Sequence, residues 1–432
     1  MKAKSKIIAA IDVGSSKICV ALAKCDTSGV EVIAVGTAPA AGFRKSAVVD
    51  IEEAAGSVNR AVREAESVSG IPIKSAYAGI AGTHISCSGS YGATGIKGRE
   101  VRGRDIDRAI EAASAVYVPL DREILHVLPS EFVIDGQDGI QRPMGMAGVR
   151  LEVKVQVLTA AHAVIENMER VFARAGLRMT ELVFQPLASA LAALRAEEME
   201  QGVMLVDIGG WSSDMAMFKD GVLMHAFSVP VGSHHITNDI ALGLKLPQKE
   251  AERLKLRYGA SGVRLQTLFE RENIEALGMS GKPLQIDPAD LARVVKSRCE
   301  EIFELIKQQT EPVFLKSRPV CAVLAGGGSL MRDMNEMAEK WLGLPVRTGY
   351  PETLKCPLMK EFASGPQYAA AAGLLLYGIQ AEGGARPVSA AADAVPAASQ
   401  FASIGEALLG RISGLSGLRR LFSKDKKAKC MG

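Results

Sequence analysis

Two Asp-x-Gly turns stand in near-copies of one pattern. The first runs through apolar Ile7 to Ile11, then Asp12-Val13-Gly14-Ser15-Ser16-Lys17, then apolar Ile18 to Ala23. The second runs through Val203 to Val206, then Asp207-Ile208-Gly209-Gly210-Trp211-Ser212-Ser213-Asp214, then Met215 to Phe218. Each pattern predicts a strand, a tight polar turn and a second strand. Glycines let backbone N–H groups approach an anion, and the serine hydroxyls and Lys17 add donors. Asp12 and Asp207 stand where each could hold a hydrated cation or orient a water beside that anion. Two such turns facing each other would clamp a chain of phosphates, so the pair predicts a nucleotide site.

Further residues fit that chemistry. Gly326-Gly327-Gly328-Ser329 lies between a predicted strand, Val320 to Ala325, and a predicted helix, Leu330 to Trp341. Such a loop admits a flat base or a phosphate, and the helix N-terminus would add donors. Glu252 and Lys255, three apart on a predicted helix, share a face and could hold ribose and base; the spacing equally suits a surface ion pair. Gln185, before Pro186, could position water near a terminal phosphate or serve as a structural amide. The chain has no Walker, nucleophile-elbow or zincin motif, and His234-His235 lacks a matching ligand set.

The elements that must position these groups alternate between strand and helix, which predicts an α/β architecture. A helix fits Ile51 to Ser69, ending at Gly70, and a strand fits Ala76 to Ile80. From Thr83 to about Val157 the texture changes: Gly89, Gly92, Gly95 and Gly98 break it up, and only one helix (Asp105 to Tyr117) and strands Ile124 to Val127 and Leu151 to Val157 are predicted. This reads as a small inserted unit. Helices are predicted for Ala163 to Ala175, Pro186 to Ala196, Lys249 to Tyr258, Pro288 to Thr310 and Pro366 to Tyr377.

Gln380 to Gln400 is rich in Ala, Gly, Pro and Ser and reads as a linker. After it, Ile404, Leu408, Ile412, Leu415, Leu418, Leu421 and Phe422 recur at helical spacing among basic residues that include Arg419 and Arg420. A basic amphipathic helix on a tether predicts attachment to an anionic membrane surface, the alternative being a helix packed on its own domain or a partner.

Composition sets the outer limits. The 432 residues allow two or more domains, and 48% hydrophobic with 23% charged residues is ordinary for a folded soluble chain. A net charge of +3 gives no argument for nucleic acid as a partner. The 7 cysteines include no C-x-x-C pair, which predicts reduced packing cysteines rather than disulfides or zinc. The apolar run before Asp12 is too short for a signal peptide, and no stretch reaches the roughly 18 apolar residues of a membrane span.

The hairpins, the glycine loop and the segments Phe184 to Ala190 and Ala369 to Gly378 together resemble the actin/Hsp70/sugar-kinase superfamily. Ala81 to Cys87, His126 to Asp135 and Gly145 to Leu151 narrow the resemblance to the FtsA family of bacterial cell-division proteins. The resemblance implies an actin-like (ribonuclease H-like) fold of two halves with a nucleotide cleft, an FtsA-type subdomain 1C and a C-terminal amphipathic helix. The implied divisions are 1–83, 158–200 and 366–379 for subdomain 1A, 84–157 for 1C, 201–231 and 311–365 for 2A, 232–310 for 2B, 380–400 for the linker and 401–432 for the membrane-targeting tail.

It also implies ATP and Mg2+ as cofactors, with Asp12 nearest the magnesium through water. The implied protein self-associates on the cytoplasmic membrane face at the division site, tethers the FtsZ ring and recruits later division proteins. Arg298 matches a family position for the FtsZ C-terminal peptide, with Lys296 beside it. One departure stands out: Trp211 and Ser212 follow Gly209-Gly210, where the family has a further Gly and a Thr. Trp211 is expected to bring bulk to the terminal phosphate and to leave ATP binding with weak or no hydrolysis. A metabolite kinase of the superfamily, or a pilus-assembly or chaperone-like adaptor, are the alternative readings.

Overall fold

The structure is a computed structural model and describes residues 6–26, 29–260, 274–315, 317–352, 354, 356 and 359–382. The tail residues singled out above, Ile404 to Phe422, lie outside the described residues.

Two five-stranded sheets carry the molecule, and they repeat one topology. In the first, Lys6–Val13, Lys17–Asp26 and Gly29–Pro39 form an antiparallel meander, and Ser75–Ile80 and Arg178–Phe184 extend it in parallel from the edge of Lys6–Val13. In the second, the meander is Val203–Ile208, Ser213–Lys219 and Val222–Val229, extended in parallel by Cys321–Ala325 and Val346–Thr348. The inner parallel strands, Ser75–Ile80 and Cys321–Ala325, are mostly apolar and buried, whereas the outer ones, Arg178–Phe184 and Val346–Thr348, carry polar and partly exposed residues. Both predicted hairpins are therefore present, and each opens its sheet.

Helix Ile51–Ser69 lies on one face of the first sheet. Asp50 caps its start by accepting from the Glu53 N–H, and Gly70 ends it with φ of 67°. Two nearly all-apolar helices, Gln185–Ala193 and Ala369–Ala381, cross between the halves. They meet in backbone contact: a Cβ on Gly373 would lie 1.7 Å from the Ala188 carbonyl oxygen. The second half adds helices Ser233–Gly243, Gln248–Tyr258 and Pro288–Phe314 over its own apolar core. Among the described residues no helix is long and apolar enough to cross a membrane.

The inserted unit is more regular than its glycines suggest. Ile85–Gly95 is one continuous strand, paired along its whole length with Arg150–Ala161 in a four-stranded sheet with Arg122–Ile134 and Gln137–Ile140. Gly92 is there for room, not for breakage: a Cβ would lie 2.2 Å from the carbonyl oxygen of Ala109, so glycine lets helix Gly103–Ser114 sit on the strand. At Gly89 and Gly95 a side chain would meet open space.

A second difference concerns the glycine loop. Gly327–Leu330 is a 3-10 turn, and the α-helix expected from Leu330 starts at Met334, after Asp333 in a left-handed conformation (φ 58°). The loop is thus not the N-terminus of that helix, and its donors are its own.

Candidate functional site

The two hairpin turns face each other across a cleft of about 500 Å3 between the halves. Their approach is close: a Cβ on Gly210 would lie 2.6 Å from Ser16 Oγ and 3.2 Å from Ser15 Oγ. Helix Ser233–Gly243 steadies the second turn, because the N–H groups of Ser233 and His234 donate to the Gly209 and Gly210 carbonyls at 2.9 and 2.7 Å. Helix-start donors that would otherwise be orphaned are used there.

One helix addresses both aspartates. Gln185 Nε2 donates to Asp12 Oδ1 at 2.5 Å, and Ser189 Oγ donates to Asp207 Oδ2 at 2.7 Å. Residues four apart share a helix face, so Gln185–Ala193 presents one side chain to each hairpin. Sequence reasoning found Gln185 and missed Ser189, although the i,i+4 spacing was there to be used.

Burial dominates the electrostatics. It drives the Asp12 carboxyl up to about 6, against the opposing pull of the Lys17 ammonium and the Gln185 amide. It drives Asp207 to about 7; the Ser189 hydroxyl opposes this, and the charges of Asp214 and Asp12 add to it. Asp214, opposite Asp207 in register, is also raised by burial while Ser228, Ser212 and the Gly82 N–H hold it down. The Gly82 contact, 2.8 Å, ties the second hairpin to the strand-end that leads into the inserted unit. Lys17 is lowered by burial, partly offset by Asp12, and its Nζ lies 3.7 Å over the Tyr368 ring.

The remaining predicted residues divide. Gly14, Ser15, Ser16, Lys17, Gly209, Gly210, Ser212, Glu252, Lys255 and Gly326 to Gly328 all line the cleft. Gly326 (φ 78°) backs onto the second hairpin, where a Cβ would lie 2.3 Å from Asp207 Oδ1, whereas the nearest atom to a Cβ on Gly327 is 3.9 Å away. Ser213 and Ser329 do not line it: Ser213 donates to the Val231 carbonyl, and Ser329 donates to that of Gly326. The Ser329 hydroxyl holds its own turn, and that of Ser213 ties the second hairpin to the segment after Val222–Val229.

Glu252 and Lys255 form a 2.8 Å ion pair, and Thr237 donates to Glu252 while accepting from Lys255. Burial pushes Glu252 up, but Lys255 and Thr237 outweigh it and leave its pKa below the ordinary value. Trp211 corrects an expectation. It packs on His234 and His235, with ring centroids 4.6 and 5.2 Å away, does not line the cleft, and has no positive φ. Its ring is thus packed on the two histidines rather than forming part of the cleft lining.

Arg298 lies outside the cleft on helix Pro288–Phe314, and its guanidinium is engaged by Asp239 at 2.5 and 3.0 Å and by Glu301 at 2.5 Å. Lys296, on the same helix, is exposed.

Comparison with known proteins fits this geometry. The family model "Cell division protein FtsA" matches residues 204–373, and "SHS2 domain inserted in FTSA" matches residues 82–159. Cell division protein FtsA of Pseudomonas aeruginosa is 38% identical over 377 residues, covering 87% of this chain and 90% of the relative. That of Neisseria meningitidis serogroup B is 33% identical (89% and 92% covered), and that of Escherichia coli K12 is 31% identical (86% and 90%). Among solved structures, a PilM–PilN type IV pilus biogenesis complex superposes with a TM-score of 0.63 at 16% identity, covering 86% of this chain and 98% of that one. MreB5 of Spiroplasma citri bound to ADP gives 0.50 at 15% identity, covering 85% and 94%. These likenesses give the fold as actin-like. The extent and level of identity to the curated relatives establish that the chain belongs to the FtsA family of bacterial cell-division proteins.

Proposed function

We propose that the cleft binds ATP with Mg2+, and that the nucleotide-loaded chain self-associates to tether the FtsZ ring to the anionic cytoplasmic face of the membrane and to recruit later division proteins. The observation that carries the nucleotide reading is the meeting of two glycine- and serine-bearing turns over one cleft, each beside an aspartate steered by the same helix.

The donors fit magnesium. Asp12 and Asp207 are hard oxygen ligands pushed toward protonation by burial, and a cation would restore their charge. No group of three or more His, Cys, Asp or Glu among the described residues forms a ready-made cage. That suits an ion that keeps its waters and leans on phosphate oxygens. When bound, magnesium would neutralise phosphate charge. The chain's own residues do the rest: Lys17 supplies positive charge, the turns supply N–H and hydroxyl donors, and the Gly327 face admits the base. Glu252 and Lys255, locked together, offer the ribose a fixed pair. Gln185 holds Asp12 through Nε2 and keeps its amide oxygen to accept from a water.

Residues 401–432 supply the membrane contact in this reading, weakly for one chain and strongly for a row of them. The FtsZ peptide would dock on the helical region of residues 232–310. Because Arg298 is paired, the peptide carboxylates would have to exchange with Asp239 and Glu301, and Lys296 would add exposed positive charge.

Calorimetric titration of the full chain with Mg·ATP tests the cleft; no heat from the unaltered chain, or full binding by the Asp12→Asn, Asp207→Asn double variant, would end the nucleotide reading. Sedimentation with anionic vesicles tests the tail, and a chain cut after Gln400 that still sediments would refute it. Lys296→Glu should weaken FtsZ-peptide binding without lowering the melting temperature.

A further inference from the structure

A further hydroxyl, that of Ser46, reaches the turns from outside both hairpins. Ser46 is the second residue of a two-residue loop, Lys45-Ser46, closing a small hairpin whose register pairs Phe43 with Val48 and Arg44 with Ala47. Both loop residues are left-handed, with φ of 50° and 60°. Such a loop favours Asn and Gly, and neither is present. The strain is held in place by contacts on two sides. Ser46 Oγ lies 3.3 Å from Ser212 Oγ of the opposite half, and Ser212 in turn donates to Asp214 at 2.7 Å. On the other side Gly82 (φ 119°) makes room: a Cβ there would lie 2.8 Å from Ser46 Cβ. Ser46 lines the cleft. A strained, over-determined residue that faces a site is a candidate for function.

Strand order says which end of the cleft this is. The glycine loop follows Cys321–Ala325, on one flank of Val203–Ile208; Ser212 opens Ser213–Lys219, on the other flank. A nucleotide whose base lies on the glycine loop therefore carries its last phosphate toward Ser212, where Ser46 stands.

Resting on the nucleotide reading above, we infer that Ser46 is a specificity-determining residue: its hydroxyl, whose hydrogen lies toward Ser212 in the free cleft, turns to donate to the terminal phosphate and makes the cleft prefer a nucleoside triphosphate to a diphosphate. A hydroxyl held rigidly by its own backbone loses little freedom on binding, and a site built to satisfy a phosphate oxygen rejects the ligand that lacks it.

The test titrates the full chain with Mg·ATP and with Mg·ADP and compares Ser46→Ala with Ser46→Gly. Both variants should lose about tenfold in ATP affinity and stay within about twofold for ADP. The glycine variant removes the backbone strain while the alanine variant keeps it, so a shared loss belongs to the hydroxyl. An unchanged ATP-to-ADP ratio in both variants, or an equal loss for both nucleotides, overturns the role of Ser46 and leaves the nucleotide reading standing. An unaltered chain that binds neither nucleotide overturns the nucleotide reading itself, and the role of Ser46 with it.

Discussion

The two hairpins share a backbone course and differ in charge. The first turn carries Lys17, which pulls the Asp12 carboxyl down; the second turn has no basic residue, and its outgoing strand sets Asp214 across from Asp207. Burial thus leaves Asp12 at about 6 but Asp207 at about 7. What repeats is the way N–H groups and hydroxyls are presented. What does not repeat is the source of charge: the first half meets an anion with an ammonium, and the second half holds the carboxylate that gains most from a cation.

The largest effect should come from breaking both hairpins at once through the helix that serves them. Gly373→Ala would drive a methyl into the Ala188 carbonyl, displacing Gln185 and Ser189 together. A loss of more than about 3 kcal/mol in urea unfolding is expected, and a variant as stable as the unaltered chain would show that the crossing is looser than described.

The next effect separates the aspartates. A carboxyl raised by burial favours the fold while protonated. That contribution is full below about pH 4 and is lost as pH rises through about 6 for Asp12 and about 7 for Asp207. Without ligand, the melting temperature of Asp207→Asn should exceed that of the unaltered chain at about pH 8 and match it near pH 4. Asp12→Asn should gain less, because it also strips Lys17 of its partner. Equal gains would erase the asymmetry.

A smaller signal is proton release. Near pH 6, Mg·ATP binding should expel about one proton per chain, read as a buffer-dependent calorimetric heat. Asp207→Asn should abolish most of it and Asp12→Asn less. Smallest of all is Trp211→Phe, which should leave ATP affinity within about twofold, since the indole packs on His234 and His235. A larger loss would return Trp211 to the cleft.

The hairpins could be read from the chain because each is one contiguous stretch, Lys6–Asp26 and Val203–Lys219, and strand, turn and strand are all local signals. Partners brought from elsewhere were harder. Asp214 bonds to the N–H of Gly82, 132 positions away, and no local pattern announces that. The Lys45-Ser46 loop lacks the residues its geometry prefers, so its turn was silent in the sequence. Gly92 read as a breaker because a glycine that admits a helix looks, in one dimension, like a glycine that ends a strand. The start of the helix after the glycine loop slipped to Met334 because Asp333 takes up a conformation that Asp tolerates but does not advertise.

The contact of Gly373 with Ala188 has a mechanical consequence. Two helices touching without clearance cannot slide through one another, so a relative movement of the halves is expected to turn about that point, as about an axle. Displacement then grows with distance from it: probes on the outer rims should separate widely when the jaws part, while probes flanking the axle stay still. A small molecule lodged off the axle would work with leverage, a slight local tightening becoming a large swing at the periphery.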